Sequence, residues 1–343
     1  MRRPAFLPDN LVLLLLGTVA LASVLPVHGS GAQGVKVLTN VAVAMLFFLH
    51  GAKLSRASVV AGLLHWRLHL TVFTATFVAF PLLGLALRPV FEPLVGPTLY
   101  FGVLFVCALP STVQSSIAFT SIGKGNVPAA MCSASTSNIA GIALTPLLVA
   151  LLTAGSAGSQ GAPVMSWQAV AGIVGLLLVP FVAGQLAQRW IGPWVARHRG
   201  VLRWFDQGSI LLVVYSAFSE AMVGGLYRQI DLATLGILVG LCALLLAIVM
   251  PALMFVSRRL GFSREDEVAI VFCGSKKTLA SGVPMAQILF AGHPVGLLVL
   301  PLMVFHQLQL MVCASLAKRY ARRAEEEAGP AARPVAAAPA ARP

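Results

Sequence analysis

Ten apolar stretches, each about as long as a bilayer core is thick, leave this chain few ways to fold. They span roughly 10–26, 35–54, 69–88, 97–122, 127–153, 168–189, 205–223, 232–256, 266–290 and 295–317. About 20 apolar residues carry a helix across the hydrocarbon. Inside lipid a backbone must satisfy its own polar groups, which a helix does and an open strand does not. Composition agrees: 58% of residues are hydrophobic and 10% are charged, against about 25% charged in an ordinary globular chain. A soluble enzyme, a disordered protein and a disulfide scaffold are excluded. The expected class is an all-α membrane protein.

Charge sets the orientation. The chain holds 24 Lys and Arg against 11 Asp and Glu, a net charge of +13. Basic residues fall between the apolar runs, so they read as a topology signal rather than a nucleic-acid footprint. With ten spans and a cytoplasmic N-terminus, Lys36, Arg88 and Arg228 lie outside, Lys276 and Lys277 lie within the ninth segment, and all the others lie inside. Both termini are therefore expected in the cytoplasm and the protein in the plasma (inner) membrane. Arg2 and Arg3 precede the first run, but no small-residue cleavage site follows before Pro26, so that run reads as a span rather than a secretory signal. The five cysteines form no CxxC or Cys/His cluster and read as small buried hydrophobes.

A shift of 166 residues lays the fourth segment on the ninth without a gap. Cys107 meets Cys273, Thr112 meets Thr278, Ser115 meets Ser281, Ile122 meets Ile288 and Pro128 meets Pro294. The same shift carries the first five segments onto the last five. An odd number of spans per copy makes the second copy enter from the opposite side. Inverted repeats with matching interrupted helices mark secondary transporters. The expected organisation is a cytoplasmic N-terminus (1–9), a first five-helix repeat (10–153), an external linker (154–167), a second repeat (168–317) and a disordered cytoplasmic tail (318–343).

Segments four and nine carry the chemistry. The first break reads Ala108-Leu109-Pro110-Ser111-Thr112-Val113-Gln114-Ser115-Ser116. Proline removes a donor and breaks the turn before it. Freed carbonyls suit a cation and a half-helix N-terminus suits an anion; the plain alternative is a kink satisfied by its own serines. The second break, Gly274-Ser275-Lys276-Lys277-Thr278, with Ser281 one turn on, sets two lysines in an apolar span, at about 3 kcal/mol each. They need a carboxylate, a carbonyl cage, water or an anionic substrate, unless the segment is drawn too deep and they sit at the surface. Adjacent residues do not share a helix face, so one can face a site while the other pairs elsewhere. Glu220 is the candidate in-membrane charge partner or proton carrier, or else an interfacial glutamate. Asp206 reads as a charge favoured by its helix dipole. Ser133, Ser135, Thr136, Ser137 and Asn138 on the fifth segment, and His306, Gln307 and Gln309 on the tenth, face the cavity or bond helix to helix. No P-loop, HExxH, nucleophile elbow or dinucleotide fingerprint occurs, so neither an enzyme nor ATP-driven transport is expected.

At these residues the chain resembles the bile acid:sodium symporter family, in the branch of the seventh member of human solute carrier family 10 and its bacterial relatives. The resemblance rests on FFLHGAKLS (47–55), HWRLHLTVFTATFVAFPLLGL (65–85), ALPSTVQSSIAF (108–119), GNVPAA (125–130), VFCGSKKTLASGVPMA (271–286) and LPLMVFHQLQLMVCA (300–314). It implies a core domain from segments 3–5 and 8–10 and a panel domain from 1, 2, 6 and 7. Segments 4 and 9 would cross at the bilayer centre, with access alternating as core rocks against panel. It also implies sodium around the crossing and an organic anion in the adjoining cleft. The family's Ser-Asn pair falls on Ser116 and Ile117, its helix-3 glutamine on Thr76, and its helix-5 hydroxyls on Ala130 and Ala134, beside Ser133 and Ser135. Its acid–glycine–glutamine–asparagine stretch falls on Val271 to Lys277, where the acid is missing and lysines stand for amides.

The expected function is a secondary active transporter of a small organic anion, with sodium as an optional coupling ion near Thr76 and Ser116. The lysine substitution suggests that an amine replaces at least one bound cation. The expected binding set is Thr76, Ser111, Thr112, Gln114, Ser115, Ser116, Ser133, Ser135, Asn138, Ser275, Lys276, Lys277, Thr278 and Ser281, with Glu220 and His306 as charge partner or proton carrier. No cofactor beyond sodium is implied, and the expected partners are the bilayer and a small anionic substrate, with no nucleic acid. The other readings are a cation/proton antiporter and a membrane regulator of ion entry.

Overall fold

A computed structural model describes residues 10–53, 65–154, 172, 174–223, 225 and 231–327. The expected N-terminal segment 1–9, nearly all of the linker 154–167 and the end of the tail lie outside the described residues. Helix α1 is Asn10–Val24, α2 Gly29–Lys53 and α3 Trp66–Thr74. A five-residue π turn, Ala75–Ala79, joins α3 to α4, Phe80–Val95. Then come α5 Pro97–Ala108, α6 Val113–Ile122 and α7 Val127–Ala154. A second π turn, Val174–Leu178, leads into α8 Val179–Arg197, followed by α9 Arg199–Val223 and α10 Leu232–Arg259. The chain ends with α11 Arg264–Gly274, α12 Leu279–Leu289 and α13 Val295–Glu327. No strand occurs among the described residues.

Among the described residues five helices are long and apolar enough to cross a bilayer: α2, the run from α3 through α4, α7, α10 and α13. The pair α5 and α6, bent by 62° at its break, makes a sixth when counted as one span. Exposed Leu, Val and Trp side chains on α1, α2, α4, α8 and α9 suit lipid contact, where a soluble fold would carry charge.

The centre of the molecule is the pair of interrupted helices. Residues 99–112 and 267–279 are buried without interruption. A helix buried all round has no polar face, which is why α5 reads LYFGVLFVCA. Small residues let its neighbours come close. A Cβ on Gly102 would lie 2.5 Å from the Leu298 carbonyl oxygen of α13, and one on Gly141 of α7 would lie 2.5 Å from the Pro110 ring. Away from this core, Gly51 on α2 and Gly184 on α8 face each other's backbones, at Phe181 and Phe48.

The last helix departs from expectation. It continues to Glu327, ten residues past the point where disorder was expected. Tyr320 explains this: its ring is 3% exposed, its hydroxyl donates to Glu267 at 2.7 Å, and its carbonyl accepts from Arg264 at 3.2 Å. Arg258 makes a two-pronged bond to the same Glu267. Glu325 pairs with Lys124, and Glu327 with Arg264. The extension is thus tied to the start of α11 and to the turn after α6. At the start of α10, Asp231 caps the helix by accepting from Thr234, and hydrogen bonds from Thr234 hold its carboxyl below the usual carboxylate range.

Candidate functional site

The two breaks meet. Leu109 and Thr112 are extended, as is Thr278, and the Thr278 N–H donates to the Pro110 carbonyl at 3.0 Å. The 166-residue shift also carries the end of α5 at 108 onto the end of α11 at 274, and the start of α6 at 113 onto the start of α12 at 279.

An unwound backbone inside an apolar core must find partners for its amides. Both breaks use side chains from a neighbouring long helix. At Ser111 the N–H donates to Ser137 Oγ at 3.1 Å, and the carbonyl accepts from Asn138 Nδ2 at 3.0 Å. At Lys277, the position 166 residues on, one side chain does both jobs. Gln309 Oε1 accepts from the Lys277 N–H at 2.8 Å, and Gln309 Nε2 donates to its carbonyl at 2.9 Å. Thr145 also donates to the Ala108 carbonyl at 2.9 Å.

Lys277 is 0% exposed, and its ammonium donates to three carbonyls: Thr76 at 2.9 Å, Cys107 at 2.9 Å and Leu109 at 2.8 Å. Local sequence explains why two of these oxygens are free. In the π turn the Phe80 N–H reaches back to Ala75 instead of Thr76, and the next residue, Pro81, has no N–H to offer. Cys107 loses its usual partner because the Ser111 N–H is held by Ser137. Leu109 lies in the extended break itself. The Phe80 ring closes the cage, its centroid 4.1 Å from Nζ.

Lys276, also 0% exposed, points elsewhere. Its ammonium donates to the Ser115 carbonyl at 2.8 Å and sits 4.1 Å from the Phe119 ring centroid and 5.3 Å from that of Phe272. The ring faces supply a negative quadrupole where a carboxylate would otherwise stand. The partners of both lysines are carbonyls and rings.

The structure brings together most of the expected set. Thr112 Oγ1 lies 2.6 Å from Ser115 Oγ and 3.4 Å from Ser116 Oγ, and Ser116 donates to the Phe272 carbonyl at 2.9 Å. Ser281 donates to Asn138 Oδ1 at 3.3 Å, and Ser275 to Val271 at 2.6 Å. The Ser111 hydroxyl is buried and has no hydrogen-bond partner among the described residues. Other expected residues stand apart. Gln114 is exposed and Ser135 half-buried. Ser133 bonds His69 at 2.6 Å. His306 lies 2.9 Å from Gln309 Nε2 and so stands behind the break rather than on it. Glu220 is exposed near the end of α9 and pairs with neither lysine, because freed carbonyls already serve both.

Sequence reasoning weighed Gln309 only as one of a cluster and missed Pro81, Phe80, Phe119 and Phe272. Proline straight after a possible π turn was the one local signal for Pro81. The Thr76 oxygen that matters is its carbonyl, since its hydroxyl donates to Val72 at 2.8 Å. The hydroxyls of Thr76 and Ser116 donate to the carbonyls of Val72 and Phe272, which leaves their oxygen lone pairs as acceptors. The Lys277 ammonium already occupies the Thr76, Cys107 and Leu109 carbonyls, and a charge there repels a second cation. Among the described residues no group of three or more His, Cys, Asp or Glu gathers as a metal site.

Known proteins resemble this chain over nearly its whole length. Residues 9–322 match the SBF-like CPA transporter family. An uncharacterized protein of Pseudomonas aeruginosa is 59% identical over 330 residues, 96% of this chain and 97% of that one. YfeH of Escherichia coli is 51% identical over 321 residues, 93% of this chain and 94% of its own. Sodium/bile acid cotransporter 7 of Rattus norvegicus is 27% identical over 304 residues, 88% of each chain. With the apolar helices and the crossed breaks already described, the match along nearly its whole length means that this chain is a membrane protein of the SBF-like CPA transporter family.

Proposed function

We propose that the chain carries a small organic anion across the inner membrane by alternating access, with tethered lysine ammonium groups in place of freely bound coupling cations. One observation carries the reading: three backbone carbonyls converge on Lys277 Nζ at 2.8–2.9 Å. Such a cage is what a transporter offers a dissociable cation. Here the cation is covalently part of the chain. Two buried positive charges give the region around Ser111, Thr112, Ser115, Asn138 and Ser281 a field that favours a carboxylate, sulfonate or sulfate.

The family relationship supports transport of a small molecule. YfeH carries the word symporter in its name, and the rat relative is named for sodium and bile acid. Two inverted five-helix repeats with both termini cytoplasmic remain the arrangement that best accounts for the charge pattern and the matched breaks. The core would comprise α3–α7 and α10–α13, and the panel α1, α2, α8 and α9.

The test is thermal unfolding of detergent-purified protein in sodium against potassium at equal ionic strength. The unaltered protein should unfold at the same temperature in both. Lys277→Ala, which empties the cage, should become stabilised by sodium or ammonium ions. A ligand at 100 times its Kd contributes about 2.7 kcal/mol, a shift of several degrees. A sodium-specific rise in the unaltered protein would sink the reading.

A further inference from the structure

The crossing also bears on direction and driving force. We infer that this transporter is electrogenic and outward-driven: each cycle moves the charge of the anion alone, so an inside-negative potential expels the anion from the cell. The inference rests on the proposed reading that the cargo is a small organic anion.

The geometry calls for a charged Lys277 and favours a charged Lys276. An ammonium has three N–H donors and no acceptor, and Lys277 meets three carbonyl oxygens. A neutral amine has two N–H groups and would point its lone pair at the third oxygen. Lys276 has one carbonyl and two ring faces, an arrangement that attracts a cation and offers little to a neutral amine. Among the described residues neither nitrogen has a carboxylate partner.

Tethering then changes the charge moved per cycle. A sodium ion that binds on one side and leaves on the other adds one positive charge to each turnover. A lysine ammonium crosses with the loaded carrier and returns with the empty one, adding nothing. Two dissociable sodium ions with one monoanion would move +1 inward per cycle. Two tethered ammonium groups with the same anion move −1. The sign reverses, and the membrane potential that would drive uptake in the first case drives export in the second. For a single charge the equilibrium gradient changes tenfold for each ~59 mV.

The lysines are held by the elements they would travel with. Their partners lie on the α3–α4 turn, the first break and α6, the same packed core in which their own break sits. No pumping of a second ion is needed for net export.

The test uses full-length protein in vesicles of bacterial phospholipid, with radiolabelled isethionate, methanesulfonate and taurocholate as probes. These monoanions have no neutral form to leak through lipid. Potassium gradients with valinomycin set the potential, and each run is made once with sodium and once with choline in its place. A potential of about 118 mV, inside positive, should accumulate a transported probe toward about 100-fold inside, and the opposite polarity should expel it. Accumulation on the negative side that requires sodium overturns the inference, as does flux indifferent to potential. No flux of any probe at either polarity overturns instead the anion-carrier reading on which it rests. Lys277→Ala gives a second check: if sodium fills its emptied cage and leaves on the far side, potential dependence should vanish in sodium and persist in choline.

Discussion

Ser111 and Lys277 occupy matching places in two breaks that solve one backbone problem in two ways. Each break hands its N–H and carbonyl to a neighbouring helix, to Ser137 and Asn138 in the first and to Gln309 alone in the second. The side chains diverge. Ser111 ends in a buried hydroxyl with no partner among the described residues. Lys277 ends in an ammonium that consumes three carbonyls. The difference teaches that a broken membrane helix has two separable needs. Its own amides must be satisfied, which either half can do with neutral side chains. The surplus carbonyls call for a cation, which only the second break supplies from within the chain.

Substitutions should separate the two needs. The largest effect is expected for Lys277→Met, which orphans three carbonyls at about 1–3 kcal/mol each. It should lose about 3–5 kcal/mol in SDS mixed-micelle unfolding, against about 1–2 kcal/mol for Lys276→Met, which frees one carbonyl. Equal losses would show that the cage is not special. Next is Gln309→Leu, which strips both backbone bonds from the second break and should cost about 2–4 kcal/mol in the same assay. Ser137→Ala removes one bond from the first break and should cost about 1 kcal/mol; a reversed order would mean that the first break bears the greater strain.

A double-mutant cycle probes the cage from its other side. Pro81→Ala restores an N–H that can reach the Thr76 carbonyl, so in the Lys277→Met background it should recover about 1 kcal/mol beyond its effect alone. Strict additivity would mean that the proline does not create the vacancy. The smallest effect is expected for Ser111→Ala. With no bond to lose, unfolding should change by less than about 0.5 kcal/mol, while the affinity for any transported anion should fall. A large loss of stability would reveal a partner for that hydroxyl.

Much of the architecture was legible in the sequence because its signals are local. Apolar length marks the spans, Pro110 marks the first break, and a lysine pair in an apolar segment marks the second. Even the ends of the breaks obey the shift read from identities such as Cys107 with Cys273. The helical run to Glu327 escaped, because the burial of Tyr320 against Glu267 that holds it depends on a residue 53 positions away. Glu220 looked like the partner for a lysine because a carboxylate is the cation partner that sequence displays.

Sequence by itself thus determined that the chain is helical and membrane-spanning, where its central helices break, and that two fixed positive charges lie between their ends. Only the tertiary structure decided what holds those charges and which way each points. The physical reason is that the acceptors are backbone oxygens, which every residue carries. Which of them become free depends on a π turn before Pro81 and on an N–H claimed by Ser137. Their convergence on Lys277 joins residues 168 to 201 positions apart in the chain, a distance over which no local pattern reaches.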